Sequence, residues 1–323
     1  MIKVLIQIPC FNEEHSLPVA LAALPRSLPG VDIVEWLVVD DGSTDRTAEV
    51  ARAHGVDHIV QLPHNQGLAR AFMAGLEACL ERGADIIVNT DADNQYRAED
   101  IPALLAPILE GSAQMVVGAR PIEAIEHFSG IKKRLQRLGS WAVRLASNTN
   151  VPDAPSGFRA ISREAAMRIN VFGDYTYTLE TIIQAGRKGI PVTWVPVRTN
   201  PDLRPSRLVK SIRNYVLRSM ATILLIFMTY RPVQFFALAG ALPFSGGLLL
   251  GLRWLALFFA GGERAHVPSL VLASVLLMIG VQLWALGLLA HLFATNRKLL
   301  EDIQLRDRRA QAAKPSRITD LAA

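Results

Sequence analysis

Asp91 and Asp93 follow directly on an apolar segment at residues 84–90. Side chains two positions apart in an extended chain point to the same side, so these two carboxylates can hold one divalent cation between them. A cation held in this way can bind the phosphates of a diphosphate. The same pattern also occurs in turns and at helix starts, and the interpretation therefore needs support from other parts of the chain.

Two further polar segments stand at the ends of strand-like runs. They are Pro-Cys-Phe-Asn-Glu-Glu at residues 9–14 and Asp-Asp-Gly-Ser-Thr-Asp at residues 40–45. Apolar runs and helix-length amphipathic segments alternate throughout this part of the chain, which predicts an α/β fold with a mostly parallel sheet covered on both faces. Ligands of such sheets bind beyond the carboxyl ends of the strands, where all three polar segments are expected to lie.

The positions of the expected elements follow from this alternation. The expected strands are Val4 to Ile8, Ile33 to Val39, His58 to Gln61, Ile86 to Asn89, Met115 to Gly118 and Val192 to Val197, and the expected helices are Glu13 to Arg26, Asp45 to His54, Gly67 to Arg82, Ala98 to Leu109 and Thr178 to Lys188.

The apolar residues are concentrated in the last third of the 323-residue chain. Residues 233–252 and 269–295 carry no formal charge, and each stretch is long enough to cross a bilayer. Residues 204–231 mix cationic and apolar side chains, which is typical of a helix lying in the membrane interface. The alternatives are a charged helix of the soluble part for 204–231 and a buried helical hairpin for the two apolar stretches.

The net charge of +5 comes largely from lysines and arginines that flank the apolar stretches. This placement fits anionic lipid headgroups better than nucleic acid, and it predicts two spans with both termini in the cytoplasm. Two cysteines are too few for a disulfide scaffold, which indicates a reducing compartment. Because a strand is expected from Lys3, no cleavable signal is expected. The predicted organisation is a soluble domain at 1–203, an amphipathic juxtamembrane region at 204–231, two transmembrane helices within 232–296 and a basic cytoplasmic tail at 297–323.

As an ordered set, the motifs resemble those of the family 2 glycosyltransferases, and within them the dolichyl-phosphate mannose synthase-like enzymes. The resemblance runs from Val4 to about Arg213. It is carried by Pro9-x-x-Asn12-Glu13-Glu14, Asp40-Asp41-Gly42-Ser43-Thr44-Asp45, Asn65-x-Gly67, Asp91-Ala92-Asp93-x-Gln95, Gly118-x-Arg120 and Ser156-Gly157-Phe158-Arg159. It implies a GT-A fold, a nucleoside diphosphate sugar as donor, a divalent metal and a polyprenyl phosphate as acceptor.

The resemblance also implies roles for individual residues. Asp153 would contact the sugar or organise its own loop, and both roles remain open at this point. The implied nucleotide-binding residues are Pro9, Asn12, Glu13, Asp41 and Asp91, the implied ligands of Mn²⁺ or Mg²⁺ are Asp91, Asp93 and Gln95, and the implied catalytic residues are Asp93, Arg120 and Asp153.

The acceptor phosphate is already ionised at neutral pH, so its reaction needs positioning and charge shielding more than a strong base. Cationic side chains are therefore the candidates for the acceptor site. They are Arg120, Lys133, Arg134 and Arg137, the last three of which could equally serve only to attract anionic lipid. Related enzymes carry an Arg-x-x-Gly-x-Ser-Lys flap over the donor phosphates. Here Arg204, Ser206 and Arg207 keep its polar character without the glycine, which leaves the conformation of the flap open.

Several of these residues also have purely structural interpretations. The charge of Glu13 would suit the start of a helix, and the hydroxyls of Ser43 and Thr44 are expected to cap the helix that follows them. Gly75 is expected to let its helix pack closely on the sheet. Tyr96 is expected only to pack beneath the loop that carries Asp91 and Asp93, which we call the aspartate loop.

The sequence thus predicts metal-dependent, inverting transfer of one hexose-type sugar, from a donor of the GDP-mannose or UDP-hexose type, to a polyprenyl phosphate at the cytoplasmic face of the cell inner membrane. A processive polysaccharide synthase is the nearest alternative, but the chain lacks a Gln-x-x-Arg-Trp motif and further spans. A non-catalytic, nucleotide-binding membrane scaffold is the alternative from another class. The base, the sugar, the lipid and the existence of a homo-oligomer are left open.

Overall fold

The computed structural model describes residues 1–121, 139–141, 143–171, 177–201, 221, 224–225, 227–260 and 267–312. The chain forms two compact units. The first comprises Met1–Ser219 and Ile303–Ala323, and the second comprises Met220–Asp302.

The first unit is built on one sheet. Its strands are β1 (Lys3–Cys10), β2 (Ile33–Asp40), β3 (His58–Gln61), β4 (Ile86–Asn89), β5 (Met115–Ala119), β6 (Arg159–Ser162) and β7 (Val192–Pro196). Their order across the sheet is β3-β2-β1-β4-β6-β5-β7. All pairs are parallel except those that β6 makes with β4 and β5. The prediction of a mostly parallel sheet is confirmed, and six of its strands lie where the apolar runs predict them.

Strand β6 is missing from the prediction. It begins at Arg159 and is only four residues long, so it does not resemble an apolar run. The strand nevertheless lies inside the sheet, and Arg159 is completely buried there. Because β6 runs antiparallel to its neighbours, its first residue lies at the edge where β4 and β5 end.

Helices cover both faces of the sheet. They are α1 (Leu17–Ala23), α2 (Thr47–Ala53), α3 (Leu68–Glu81), a 3₁₀ turn at Ala98–Asp100, α4 (Ile101–Leu109), α5 (Arg163–Arg168) and α6 (Tyr177–Arg187). The alternation of side chains along β1 divides the core in two. Ile6 and Ile8 pack towards Leu21 on one face, whereas Leu5 packs towards Phe72 on the other. Each such buried side chain contributes about 1.5–3 kcal/mol through the removal of apolar surface from water.

Helix α1 is shorter than predicted, since it begins at Leu17 rather than Glu13. The residues before it form a loop held by hydrogen bonds to the segment after β2, which are described below. Gly75 confirms the packing interpretation. A Cβ atom there would lie 2.7 Å from the side-chain oxygen of Gln7 and 2.9 Å from a methyl carbon of Val39.

The second unit contains two long helices, α7 (Pro232–Phe259) and most of α8 (Val267–Ala312). Both are long and apolar enough to cross a membrane, and most of their large apolar side chains are exposed. This exposure argues against a buried helical hairpin of a soluble protein. Gly240 lies so close to α8 that a Cβ atom would be 2.8 Å from the carbonyl oxygen of Gly280, and close contact at small residues is typical of membrane helices. The amphipathic helix predicted for 204–231 lies mostly outside the described residues.

Candidate active site

The predicted site residues lie where strands β1, β2 and β4 end. Cys10 is paired with Asp40 across β1 and β2, and Gln7 is paired with Asn89 across β1 and β4. The loops that follow these three parallel strands therefore leave the sheet at one edge. Pro9 is buried in β1, at the start of this edge. The structure thus brings together the three polar segments that the sequence predicts to meet.

The loop after β1 is fastened to the loop after β2. The backbone N–H of Asn12 donates to the hydroxyl of Ser43 at 2.9 Å, and the side-chain oxygen of Asn12 accepts from the N–H of Thr44 at 2.8 Å. Asn12 adopts a left-handed conformation with φ of 54°. The prediction that Ser43 and Thr44 cap the next helix is wrong, because α2 begins after Arg46, and the side chain that accepts from the N–H of its first residue, Thr47, is that of Asp45, at 3.0 Å. These hydroxyl residues instead join the two loops.

Glu13 belongs to the same pair of loops. Its N–H donates to the hydroxyl of Thr47 at 2.9 Å, and its carboxylate accepts a hydrogen bond from the hydroxyl of Ser16. The side chain is almost completely buried. Because α1 begins only at Leu17 and has no acidic residue in its first turn, the interpretation of Glu13 as helix-terminal charge is wrong. Nucleotide binding by Glu13 stays a prediction.

Gly42 allows the loop after β2 to approach the chain after β3. Its φ is 67°, and a Cβ atom would lie 2.4 Å from the carbonyl carbon of His64. No other residue fits that space without moving the backbone. The glycine of the Asp-Asp-Gly motif therefore brings the start of α3 towards Asp41.

Asp41 holds the start of helix α3. One carboxylate oxygen accepts from the N–H of Gln66 at 2.8 Å, and the other accepts from the N–H of Gly67 at 2.9 Å. These N–H groups precede the first turn of α3, where backbone donors lack partners within the helix. Asp41 thus has a structural function, and its predicted contact with the base or ribose of a nucleotide remains a prediction.

Asp41→Asn should lower the free energy of unfolding by about 1–3 kcal/mol, because the side-chain NH₂ of asparagine would point at one of the two partly buried N–H groups. The measurement is the thermal unfolding midpoint of the purified protein without ligands. Asp302→Asn is the matched control, since Asp302 is exposed. An Asp41→Asn variant as stable as this control would contradict the assigned bonds.

The aspartate loop follows β4. Asp91 lies deep in the protein with only part of its surface open to solvent. Burial first, and the charge of Asp93 second, raise the pKa of the Asp91 carboxyl above its ordinary range, while Arg120 and Arg159 act in the opposite direction. Asn94, which directly follows Asp93, is left-handed with φ of 54°. The loop therefore turns sharply after placing two mutually repelling carboxylates side by side.

This arrangement fits a divalent cation. The N–H of Gln95 donates to a carboxylate oxygen of Asp93 at 3.2 Å, so the three predicted ligands share one short loop. Their donor atoms are all oxygens, as Mg²⁺ and Mn²⁺ prefer. Among the described residues no group of three His, Cys, Asp or Glu side chains is placed so that it could hold a metal ion. Asp91, Asp93 and Gln95 would therefore hold only part of the ion's coordination shell and leave positions for phosphate oxygens or water.

The chain after β7 supports the aspartate loop from outside. The side-chain amide of Asn200 donates to the carbonyl oxygen of Asn94 at 2.9 Å, and its backbone N–H donates to that of Gln95 at 2.9 Å. Tyr96 and Thr199 form an isolated β-bridge next to these bonds. This contact is absent from the prediction, since nothing in the spacing indicates that residues about a hundred positions apart are adjacent.

Arg120 and Asp153 form an ion pair beside the aspartate loop. Nε of Arg120 lies 2.8 Å from one carboxylate oxygen of Asp153, and Nη2 lies 3.1 Å from the other. The Asp153 side chain is fully buried, and that of Arg120 is 13% exposed. Both oxygens of Asp153 are used by Arg120, which supports the loop-organising role. The exposed part of Arg120 leaves it accessible for a phosphate.

Arg159 is a second arginine close to Asp91, and the prediction gave it no role. Its guanidinium donates to the carbonyl oxygens of Ala154 and Ser156 and to the hydroxyl of Thr181. Complete burial lowers the pKa of the Arg159 guanidinium. Arg159 thus organises the 154–156 loop, and its charge offsets part of the negative charge of Asp91.

A buried polar chain beneath the aspartate loop is also missing from the prediction. Gln7 in β1, Asn89 in β4 and Tyr177 in α6 are all fully or almost fully buried, and Asn89 bonds to both of the others. The signal available in the sequence was a polar residue within an otherwise apolar strand, which is seldom left without a function or a partner.

Six predicted site residues lie outside the described residues. They are the acceptor candidates Lys133, Arg134 and Arg137 and the flap residues Arg204, Ser206 and Arg207. Their roles stay predictions.

Comparison with known proteins extends this picture. The model of "Glycosyl transferase family 2" matches residues 5–169. An undecaprenyl-phosphate mannosyltransferase from Micrococcus luteus is 29% identical over 205 residues, which cover 60% of this chain and 82% of the relative. An undecaprenyl-phosphate 4-deoxy-4-formamido-L-arabinose transferase from Pectobacterium carotovorum is 27% identical over 318 residues, or 95% of this chain and 91% of the relative.

Among solved structures, glucosyl-3-phosphoglycerate synthase from Mycobacterium tuberculosis, in complex with Mn²⁺, UDP and glucosyl-3-phosphoglycerate, has the same fold. It superposes with a TM-score of 0.52 and 22% identity over 68% of this chain and 79% of that chain. The GT-A fold implied by the sequence motifs is confirmed. With the family model covering half of its length, the chain belongs to glycosyl transferase family 2 and is a glycosyltransferase.

Proposed function

We propose that this protein transfers one hexose-type sugar from a nucleoside diphosphate sugar to a polyprenyl phosphate, with inversion at the anomeric carbon and with Mn²⁺ or Mg²⁺ in the site. The observation that carries the proposal is the pair of carboxylates Asp91 and Asp93 next to Arg120, whose side chain is partly exposed. The names of the two relatives, which both act on undecaprenyl phosphate, support the acceptor class.

The chain's own residues supply two opposite charge environments. The divalent cation would be held by Asp91, Asp93 and Gln95. When bound, the cation would neutralise charge on the donor diphosphate. Arg120 would receive the phosphate of the acceptor, and Asp153 holds the Arg120 side chain in place. Because Asp153 accepts from both Nε and Nη2 of Arg120, the guanidinium would keep its orientation while the acceptor arrives.

The reaction itself needs no proton transfer. An ionised oxygen of the acceptor phosphate forms a bond to the anomeric carbon, while the bond between that carbon and the donor diphosphate oxygen breaks. The nucleoside diphosphate leaves with the electron pair. A single displacement of this kind inverts the configuration, and its main requirements are alignment and charge stabilisation.

A cleft beside Arg120 suits an amphiphilic acceptor. Its volume is about 500 Å³, and its lining includes the exposed ring of Trp194 together with Pro152 and Pro196. A cation next to apolar surface matches a lipid whose phosphate is attached directly to a hydrocarbon chain. This supports delivery of the acceptor from the Arg120 side of the site.

The proposed location is the cell inner membrane, with the catalytic unit and both termini in the cytoplasm. The apolar helices α7 and α8 support membrane insertion, and the excess of lysine and arginine outside the two apolar stretches supports this orientation.

The direct test is transfer by the purified full-length protein in detergent. Radiolabelled GDP-mannose, UDP-glucose and UDP-N-acetylglucosamine would be offered separately with undecaprenyl phosphate, in the presence of Mn²⁺, Mg²⁺ or EDTA. The expected product is a lipid carrying one sugar, formed from one of the donors only when a metal is present. A mass spectrum of the product separates single transfer from processive synthesis.

Two results would overturn the proposal. Products with long sugar chains would favour a polysaccharide synthase. A failure to transfer any sugar, combined with Mn²⁺-dependent nucleotide binding, would favour a non-catalytic scaffold.

A further inference from the structure

The backbone of Gly157 lies against the carboxylate of Asp91. A Cβ atom on Gly157 would be 3.0 Å from each carboxylate oxygen of Asp91 and 2.9 Å from the hydroxyl oxygen of Tyr177. These distances are so short that a side chain at position 157 would require the Tyr177 hydroxyl and the Asp91 carboxylate to move. The position of the Gly157 peptide therefore limits where the Asp91 carboxylate can lie.

The Gly157 residue is held by hydrogen bonds at both ends. Its N–H donates to the hydroxyl oxygen of Tyr96 at 3.0 Å. Its carbonyl oxygen accepts from the side-chain amide of Asn89 at 2.8 Å and from the hydroxyl of Tyr177 at 3.4 Å. We call Tyr96, Asn89 and Tyr177 the Gly157 clamp.

The members of the clamp are themselves fixed. The side-chain amide of Asn89 also donates to the Tyr177 hydroxyl at 2.8 Å, and its oxygen accepts from the side chain of Gln7 at 2.8 Å. All of these groups are buried, where a polar group without its partner is costly. The network thus has one well-defined arrangement.

Aromatic stacking fixes the two tyrosine rings independently of their hydroxyls. The ring of Tyr177 lies 3.9 Å from that of Phe72, nearly parallel to it, and the ring of Tyr96 lies 5.0 Å from that of Phe158. A phenylalanine at either position would keep this packing. The hydrogen bonds can therefore be removed one at a time without removing the rings.

We propose that Tyr96, Asn89 and Tyr177 are positioning residues for metal binding: they hold the Gly157 peptide, which in turn orients the Asp91 carboxylate towards the divalent cation. This inference rests on the proposed function of Asp91 as a metal ligand. Groups that orient metal ligands from behind usually change metal affinity by about 10- to 100-fold when they are replaced.

The test uses Tyr177→Phe and Tyr96→Phe in the full-length protein. Mn²⁺ would be titrated with UDP or GDP present, and free Mn²⁺ would be followed by electron paramagnetic resonance. Each variant should bind Mn²⁺ about 10- to 100-fold more weakly than the wild type. In transfer assays the variants should need more Mn²⁺ for half-maximal rate, and saturating Mn²⁺ should restore kcat, which a general loss of structure would not allow.

Tyr230→Phe is the matched control, since Tyr230 is also buried but packs against Arg297 at 4.7 Å in the second unit. Its Mn²⁺ affinity should equal that of the wild type. Gly157→Ala tests the contact itself, because the added methyl group would push the Asp91 carboxylate away, and it should weaken Mn²⁺ binding at least as much as either phenylalanine.

The outcomes separate the two proposals. A wild-type protein that binds no Mn²⁺ with either nucleotide would overturn the proposed metal-dependent function. A wild type that binds Mn²⁺, together with Tyr177→Phe, Tyr96→Phe and Gly157→Ala variants of equal affinity, would overturn the clamp alone.

Discussion

The Asp93→Asn variant should transfer sugar about 10²- to 10³-fold more slowly than the wild type, a loss typical of removing one charge-stabilising group from an active site. Asparagine has nearly the shape of aspartate but lacks the negative charge that pairs with a divalent cation. The measurement is the initial rate at saturating donor and Mn²⁺. Restoration of the rate by a higher Mn²⁺ concentration should be incomplete, because a ligand charge is absent at every concentration.

The same substitution should not destabilise the metal-free protein. Burial, followed by Asp93, raises the pKa of Asp91 in the folded state. A carboxyl with a raised folded-state pKa binds protons more tightly when folded, so stability falls as the pH rises through the interval above its ordinary pKa. Removing the charge of Asp93 relieves part of this penalty. In EDTA at alkaline pH, Asp93→Asn should therefore unfold at the same temperature as the wild type or at a higher one.

The combination of lost activity and retained stability is the distinctive result. A variant that loses both would indicate that Asp93 maintains the fold of the loop rather than binding metal. A variant that keeps more than about a tenth of the wild-type rate would contradict the assignment of Asp93 as a metal ligand, given the expected loss of 10²-fold or more.

Asp153→Asn should lower the stability of the protein by about 3–5 kcal/mol, because it leaves the charge of Arg120 largely buried without its counter-charge. The side-chain NH₂ of the new asparagine would also point its hydrogens at an N–H group of the Arg120 guanidinium. For a unit of this size, the unfolding midpoint should fall by about 6–20 °C. Transfer should be lost as well, since Arg120 would no longer be held beside the aspartate loop.

A double replacement separates the structural effect from the chemical one. Substituting both members of a buried ion pair by apolar residues is often neutral for stability. Asp153→Leu combined with Arg120→Met should therefore regain most of the stability lost in Asp153→Asn, while sugar transfer remains absent. Recovery of transfer in the double variant would exclude Arg120 from the acceptor site.

The exposed ion pair of Arg198 and Glu99 provides the control. The two side chains are 55% and 74% exposed, and water screens exposed charges strongly. Glu99→Gln should leave both the unfolding midpoint and the transfer rate unchanged. A large effect there would show that the assay responds to any loss of surface charge.

The sequence was sufficient to predict the edge of the sheet at which the site lies. Strands β1, β2 and β4 are apolar runs that end in polar motifs, and parallel strands place their carboxyl ends together. The family motifs then indicated which of those polar residues to consider. Strand β6 was not predicted, because it begins with a buried arginine. Apolar periodicity carries no information about a charged residue that is stabilised by hydrogen bonds to neighbouring carbonyl groups.

The supporting contacts of the site could not be predicted in the same way. Asp41 is bonded to backbone N–H groups, which have no residue-specific signal. Asn89 and Tyr177 meet only after the whole sheet has formed. Ser43 and Thr44 were assigned to the nearest helix because local capping is common, yet the first loop offered better-placed partners.

The reversed direction of β6 affects how this enzyme could diversify. Asn12, Asp41 and Asp91 lie on connections that leave the sheet, whereas Asp153 lies on the connection that enters it at β6. A change in the length of the segment between β5 and β6 would alter the surroundings of Arg120 while leaving the register of β1, β2 and β4 intact. Because Arg120 is the proposed contact of the acceptor phosphate, exchanging that segment between relatives should change the acceptor while the original sugar donor is kept.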